Sequence, residues 1–464
     1  MIISFVLVLL LALFLSLLAR RGHHASDPRA FFAARGQFGA LLFFLLSVGE
    51  TYSIGTVLGF PGGIAASGSV DIILWFTGYI LLAFPVCFVV FPKLWSAGQR
   101  TGAITLPDLF GRHFESKHLE KFIGILLAFL MLPMGTMQFM GLETVLSSLH
   151  LPLSGNFLSF SSAILAFVFT AIAGLRGTAL ISILKDFLVL SAIIIVAASA
   201  LWSWQHEVPS IEEGHLILQH GSDHSTQSLL MILSTIIIQA LGFSVVPQTA
   251  VATFSARDPN SIRRAQVWMP LYLVLFPCLV LIAMFGMSHK IQTARPDQLF
   301  LEVAHHLLPN WLCGLIYSAA ALTALVWLGS VCLALAAIVT RNVLPNISSQ
   351  HQKKVGLFVI ACYIFLSELA SHLNNFPISK INNIFYFGLI QIFPSFILCI
   401  AERKINWMFI VLSICAGMLT SIYIMVNNFN LYGLNISVIG ITVNIIILSM
   451  NLIYRKIKPA LSTK

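Results

Sequence analysis

Apolar stretches long enough to cross a bilayer recur along the whole chain, and no other feature restricts its fold so sharply. A helix needs about 20 predominantly apolar residues to span. Such runs fall at 1–19, 38–66, 71–95, 119–148, 157–175, 179–202, 228–254, 266–288, 311–340, 355–373, 382–401, 407–426 and 434–454, thirteen in all. Inside hydrocarbon every backbone N–H and C=O must find a partner within the protein, which makes runs of this kind helices. Of the 464 residues 58% are hydrophobic and only 9% charged; a soluble chain carries about 25% charged residues. Mean hydropathy is +0.92. A core cannot hide that much apolar surface, so lipid must cover much of it. The chain is predicted to be an all-α membrane protein.

Charge tests the span count. The first run, Met1 to Ala19, has no positive residues before it and is followed by Arg20 and Arg21. That order retains it as a membrane helix with its N-terminus outside rather than as a cleaved leader. Thirteen spans then put the C-terminus in the cytoplasm, with 22 of the 26 Lys and Arg residues inside, only Lys290, Arg295 and Lys380 outside, and Lys185 within a span. One missed helix would invert everything after it. The basic pI near 9.3 therefore reflects topology signals in short loops. No basic patch interleaved with aromatics occurs, so nucleic acid is not an expected partner. The expected location is a bacterial inner membrane.

Several chemistries lack their motifs. There is no GxxxxGK[ST] loop, no HExxH and no GxSxG, which counts against a primary pump, a membrane protease and enzymes in general. No cofactor is called for. Seven cysteines lie singly in apolar runs without a CxxC and read as small buried hydrophobes. The longer polar stretches, about 203–227 and 289–310, are both outside. The first holds Glu207, Glu212, Glu213 and Asp223 with His206, His215, His220 and His224; it reads as a solvated acidic loop, with a metal site the sharper alternative. The classes left open are carrier, channel, and membrane receptor or scaffold.

The chain interrupts two of its own helices. The second span reads Ser47-Val-Gly-Glu-Thr-Tyr-Ser-Ile-Gly-Thr-Val-Leu-Gly-Phe-Pro-Gly-Gly63. Broken helices at midplane present backbone to solute and ion; the same glycines, Gly55, Gly59 and Gly63, also form a small-xxx-small packing ridge. Five spans later, Gln239-Ala-Leu-Gly-Phe-Ser-Val-Val-Pro-Gln-Thr-Ala250 carries Gly242 and Pro247 inside a span. Matched breaks in two halves of five helices point to an inverted repeat and a carrier. Ionisable residues within spans are few: Glu50, Glu143, Lys185, Asp186 and Glu368. Each is costly in lipid and a functional candidate. Glu143 and Glu368 lie toward helix ends, which leaves Glu50, Lys185 and Asp186 as the stronger candidates.

These residues resemble the solute:sodium symporter family over nearly the whole chain. The carrying motifs are Phe31-Phe-Ala-Ala-Arg-Gly36, Leu58-Gly-Phe-Pro-Gly62, Thr105-Leu-Pro-Asp-Leu-Phe-Gly-Arg112, Gly174-Leu-Arg-Gly177 and Ile338-Val-Thr-Arg-Asn342. Within the family the chain is most similar to the monocarboxylate-permease subgroup, through Gly49-Glu50-x-Tyr52, Gly174-Leu-Arg with Lys185-Asp186, Ser255-Ala-Arg-x-x-x-x-Ile-Arg-Arg264 and Leu389-Ile-Gln-x-x-Pro394. The resemblance implies a leucine-transporter-like fold of five plus five helices in inverted repeat: an extra helix at 1–19, a first repeat over 38–202, a second over 228–401, and two further helices with a cytoplasmic tail over 407–464. It implies symport of a small solute, a short monocarboxylate such as acetate, pyruvate or lactate, with an amino acid or a sugar as alternatives. The partners are that solute and the lipid bilayer; oligomeric state has no signal in the sequence.

Site residues follow as expectations. A helix N-terminus near Gly59 to Gly63 suits a carboxylate, which nominates Gly55, Thr56, Gly59 and Gly62, with Gly242 at the second break. Gln138 and Gln239 lie on facing candidate helices and can supply hydrogen bonds, or bond each other's helices instead. For the coupling ion, the resemblance implies backbone carbonyls from Gly49 and Tyr52 and, counted back without gaps from Thr340, groups at Thr323, Val326 and Trp327. Val and Trp offer no oxygen to a hard cation. Lys185 can stand in for sodium's charge with Glu50 or Asp186 as counter-ion, and its proton would then be the coupled species. A fixed structural pair and conventional sodium coupling are the alternatives.

Overall fold

The computed structural model describes residues 1–20, 43–44, 52–150, 155–206, 226–344, 347–374, 376–427, 429 and 431–461. Gly49, Glu50, the Phe31–Gly36 motif and most of the histidine-containing loop lie outside these residues. The described chain is helical from end to end: α1 (Ile2–Arg20), a π-helical turn (Gly55–Gly59) running into α2 (Phe60–Ser67), α3 (Asp71–Thr101), α4 (Leu106–His113), α5 (Lys117–Leu130), α6 (Leu132–Ser147), α7 (Gly155–His206), α8 (Thr226–Phe243) and α9 (Pro247–Ser255). There follow α10 (Pro259–Trp268), α11 (Phe276–Ser288), α12 (Leu299–Leu307), α13 (Asn310–Ile338), α14 (Ser349–His372), α15 (Ile378–Leu389), α16 (Phe393–Ile400), α17 (Trp407–Val426) and α18 (Ile436–Leu461).

Among the described residues nine helical segments are long and apolar enough to cross a membrane, and three shorter apolar helices, Ile2–Leu18, Phe160–Ile172 and Ile436–Asn451, accompany them. With the interrupted helix at Gly55–Ser67 they match the thirteen expected runs one to one. The fifth and sixth runs need comment, because the helical assignment is continuous over α7. A straight helix of 52 residues would reach about 78 Å, far beyond a bilayer of about 30 Å. The chain is not straight there. A Cβ on Gly329 would lie 3.7 Å from Thr170 Oγ1 and 3.6 Å from Thr178 Oγ1. Eight residues of straight helix separate such atoms by about 12 Å, so the helix does not run straight between Thr170 and Thr178.

Helix α13 is the central post. Its apolar window is 89% buried, against 28% for the Pro259–Ser288 span. Its sequence is rich in Ala, and these small residues let neighbouring helices approach closely. It packs on α7, α6, α1 and α14, and Met1 seats the extra helix directly on Gly314.

At the end expected to be cytoplasmic, two family motifs 237 residues apart meet: Thr105 Oγ1 donates to Asn342 Oδ1 at 2.9 Å. Asn342 Nδ2 donates to Asp108 Oδ1 and to Glu120 Oε1, both at 2.6 Å, and Asp108 Oδ2 accepts from Ile104 N–H at 3.1 Å. The network ties α4 and α5 to the π-helical turn Val339–Val343 that closes the central post. Nearby, Lys404 Nζ reaches Glu115 Oε1 at 2.6 Å, and that pairing holds the Glu115 carboxyl below its ordinary range.

Candidate functional site

The first helix break lies earlier than the sequence suggests. Tyr52 and Ser53 are bent, and the Ser53 carbonyl accepts from Thr56 N–H at 3.0 Å and Val57 N–H at 3.1 Å. The helix therefore starts at Ser53 and Ile54, runs through the π turn and continues into α2. Gly59 and Gly62 do not stand at a helix N-terminus; this corrects the expectation above. They are contact positions. A Cβ on Gly59 would lie 2.6 Å from Ile378 Cγ2, and one on Gly62 2.7 Å from Asp297 Cα and 2.8 Å from the Pro296 carbonyl. Glycine next to proline suggested a break, but here the glycines admit neighbours. Pro61, which has no N–H to give, falls where the π turn passes into α2. A Cβ on Gly55 would lie 3.3 Å from Met137 Sδ, and Thr56 is buried.

The second break is where it was expected. Helix α8 stops at Phe243, Ser244 and Val245 form a turn, Val246 is extended, and α9 begins at Pro247. Gly242 faces the ring of Tyr386, 2.9 Å from Cδ1 to the position of a Cβ. Gln239 donates from Nε2 to Asn383 Oδ1.

Between the two breaks lies a small cavity. Ser53 lines it from the first break, and Phe243, Val246 and Gln248 from the second. Tyr79, Ile80, Ala83 and Phe84 of α3, Met134 of α6, Trp327 of α13, and Asn382 and Tyr386 of α15 complete the wall. Its volume is about 20 Å³. That is enough for a water or two, so a solute enters only when side chains move. Among the described residues no charged side chain lines it. What it offers instead is two helix starts in its wall: Ser53 at the first, and Gln248 in the first turn of α9. Each end presents backbone N–H groups and a positive dipole. Side-chain amides and hydroxyls add to these. The Tyr79 hydroxyl lies beside Asn382 and Tyr386, and Asn382 Nδ2 is buried without a well-formed hydrogen bond among the described residues.

Gln138 belongs to the same neighbourhood. Four residues before it Met134 lines the cavity, and three residues after it Gly141 packs on Ile54. Residues at these spacings share one helix face, so Gln138 overlies the start of the first helix. It is 1% exposed, and both Oε1 and Nε2 lack a partner among the described residues. Gln239 Oε1 is likewise buried without one.

The ion-coupling candidates form a second group. Lys185 Nζ lies 2.8 Å from Asp186 Oδ1, and both side chains are buried. The depth of the pair follows from packing. Trp204, near the end of α7, packs against Phe285 and His289 at the end of α11. The second half of α7 therefore runs towards the end of the molecule at which α13 begins, antiparallel to it. Thr178 is level with Gly329; seven residues further along α7, Lys185 is level with Leu322 and Thr323. Thr323 Oγ1 donates to the Ala319 carbonyl at 2.8 Å, which leaves its lone pairs able to accept. Val326 is packed in the core, and Trp327 faces the cavity. Asp186 also acts electrostatically on Tyr272, whose carbonyl accepts the hydroxyl of Tyr52. The pair on α7 is thus linked through Tyr272 to the start of the first broken helix.

Sequence reasoning missed most of the cavity wall: Ser53, Tyr79, Gln248, Asn382, Tyr386 and the inward face of Trp327. Gln248 had a signal, since it follows the break-marking Pro247. Tyr79, Asn382 and Tyr386 sit in regular helices where nothing local sets them apart.

The profile of the sodium:solute symporter family matches residues 31–416. The chain belongs to this family. Relatives include an uncharacterized symporter of Bacillus subtilis, YhjB, 24% identical over 411 residues that cover 86% of this chain and 83% of the relative. A monocarboxylate transport permease protein of Rhizobium johnstonii is 26% identical over 340 residues, 69% of this chain and 66% of that one. Among solved structures, the substrate-bound outward-open state of a Na+-coupled sialic acid symporter superposes with a TM-score of 0.77, covering 96% of both chains at 13% identity. That likeness establishes the leucine-transporter-like fold of this symporter, a multi-pass membrane protein.

Proposed function

We propose that this symporter imports a short monocarboxylate, of the size of acetate, pyruvate or lactate, by alternating access driven by an ion gradient. One observation carries the reading: two helix starts contribute to the wall of a small cavity that has no charged side chain among the described residues. A carboxylate there receives backbone N–H groups and two positive dipole ends. An amino acid brings an ammonium group as well, and none of the described wall residues offers a carboxylate to receive it. A sugar has far more bulk than a cavity of this size admits without wide rearrangement. The relative named as a monocarboxylate transport permease points the same way. In this reading Ser53, Gly55 and Thr56 hold the carboxylate from one side, Gln248 and Thr249 from the other, and Gln138 and Asn382 supply amides. Gly242 sets the position of Tyr386.

The coupling ion is read from the paired side chains. The α13 wall level with Lys185 offers Thr323 as a hydroxyl, whereas Val326 and Trp327 have none. Lys185 already brings a positive charge to that depth. The pair with Asp186 supports a proton as the coupled species, while the family's name supports sodium.

The test is an uptake panel in proteoliposomes with acetate, pyruvate, lactate, proline and glucose, under imposed proton or sodium gradients. Uptake of the three monocarboxylates driven by an inward proton gradient without sodium is the expected result. Clear proline or glucose uptake with flat monocarboxylate uptake overturns the substrate. Strict sodium dependence with no response to pH overturns the ion.

A further inference from the structure

Asp297 belongs neither to the cavity nor to the ion pair, yet it is 3% exposed. It sits in a 3-10 turn, Pro296–Gln298, in the segment that links α11 to α12. Its Oδ2 accepts the N–H of Ile378, the first residue of α15, at 3.3 Å. Its Oδ1 is buried with no partner among the described residues. The same turn presses on the first broken helix at Gly62, and α15 presses on it beside that point: Ile378 fills the place of a Cβ at Gly59, and Ser379 Oγ lies 3.0 Å from that of Gly63. Three elements therefore close around one carboxyl group. They close at the end opposite the basic loops, the outer end in the orientation that the charges predict. Helix α15 carries Asn382 and Tyr386 to the cavity, and the Gly55–Ser67 helix begins at it. A solute coming from that end reaches the cavity only when these contacts part, and parting them wets Asp297.

We propose that Asp297 is a proton-binding site of the outer gate: sealing the gate takes up one proton from the outer solution, and opening it releases that proton. This rests on the alternating-access reading above. The proton adds to Oδ1, because Oδ2 faces the Ile378 N–H, and the sealed state then holds a neutral acid.

The balance of forces supports this. Burial pushes the Asp297 carboxyl up to about 6 from its ordinary 3.8, against the pull of the Ile378 N–H and of Arg295. The π turn and α2 bring no ionisable group. Glu143 on α6, and Glu302, His305 and His306 on α12, belong to elements packed on the turn, and Lys380 lies on α15. The sign follows from linkage. The sealed state has the higher proton affinity, so sealing is favoured as pH falls below about 6, and the preference is lost as pH rises through that value. Between pH 7.5 and pH 5 the equilibrium moves about tenfold toward the sealed state, and it saturates at about 160-fold below the ordinary value.

Hydrogen–deuterium exchange of the intact protein in nanodiscs tests the proposal, read over residues 376–386 and corrected for the intrinsic pH dependence of amide exchange. Protection should rise about tenfold from pH 7.5 to pH 5. Asp297→Asn should be protected at both values with no pH response, and Asp297→Glu should restore a response. Unchanged wild-type protection overturns the proposal, as does an Asn variant that responds like wild type. Monocarboxylate uptake by the same preparation keeps the two readings apart. Uptake without a pH response sinks the proton site alone; a pH response without uptake of any solute sinks the symport reading and leaves the site standing.

Discussion

Lys185 and Asp186 are neighbours in sequence and also partners in space, with Nζ 2.8 Å from Oδ1 and both side chains buried. Adjacent helical residues point about 100° apart, so the contact uses the length and flexibility of the lysine. Replacing Lys185 by Met keeps the apolar stem and leaves Asp186 as a buried anion without its ammonium, a change that costs about 3–5 kcal/mol. The double variant Lys185→Met/Asp186→Leu should recover stability, because a well-packed apolar pair can replace a buried ion pair. If Lys185 carries the coupled proton, this double variant reaches the membrane in normal amount yet shows no uptake driven by a proton gradient. Restored uptake with an unchanged pH response would mean that the pair is structural.

Gly242 sets the position of Tyr386. A Cβ at that residue would stand 2.9 Å from Tyr386 Cδ1, closer than carbon atoms pack, so Gly242→Ala moves the ring. The ring lines a cavity with only about 20 Å³ of free room, and a shift of a few tenths of an ångström is a large fraction of it. Gly242→Ala should raise KM for lactate and pyruvate more than for acetate, by several-fold, at equal surface expression. Equal changes for all three would place the effect outside the cavity.

Gly59 and Gly62 test packing rather than binding. At Gly59 the obstacle to a Cβ is the branch methyl Cγ2 of Ile378; at Gly62 it is backbone of the Pro296–Asp297 turn at 2.7–2.9 Å. A side chain can give way and backbone cannot, so Gly62→Ala should be the more damaging. Overpacking of this kind costs about 1–3 kcal/mol. Thermal unfolding in detergent should show a lower midpoint for Gly62→Ala than for Gly59→Ala, and Ile378→Ala, which removes the clashing Cγ2 methyl, should relieve the clash only in the latter. A Gly62→Ala protein of normal stability that fails to transport would return this glycine to the binding site.

How much of this was legible follows the range of the interactions. Spans are legible because hydrocarbon imposes one local rule on every run of about 20 residues, and the bend inside α7 lies between Thr170 and Thr178, the interval that joins the fifth and sixth runs. Pro247 marks its break correctly because a proline has no N–H to pair inside a helix. The cluster Gly59 to Gly63 misleads because glycine serves opposite ends, unwinding a helix or admitting a neighbour, and only Ile378 and Asp297, more than 200 residues away, decide between them. Tyr79, Asn382 and Tyr386 are polar residues in ordinary helices; their convergence exists only after α3 and α15 pack. Lys185 and Asp186 stood out because a charge in lipid always demands a reason, although Tyr272 as their link to Tyr52 had no sequence signal.

Gln138 separates binding from packing most cleanly. Its amide is buried beside the start of the first helix, and neither of its polar atoms has a partner among the described residues. An amide left so costs about 1–3 kcal/mol, a penalty that a bound solute would relieve. Gln138→Leu keeps most of the volume and removes the penalty, so the substrate-free protein should be as stable as wild type or more so. Transport should move the other way. A carboxylate that takes a hydrogen bond from this amide loses about 1.5–3 kcal/mol with it, which is a rise in KM of about 10- to 100-fold. Thermal unfolding with and without lactate gives the same information without a flux assay: wild type should be stabilised by lactate, and the Leu variant should not respond at the same concentration. If Gln138→Leu instead unfolds earlier and still transports with an unchanged KM, the amide holds helices together and does not touch the solute.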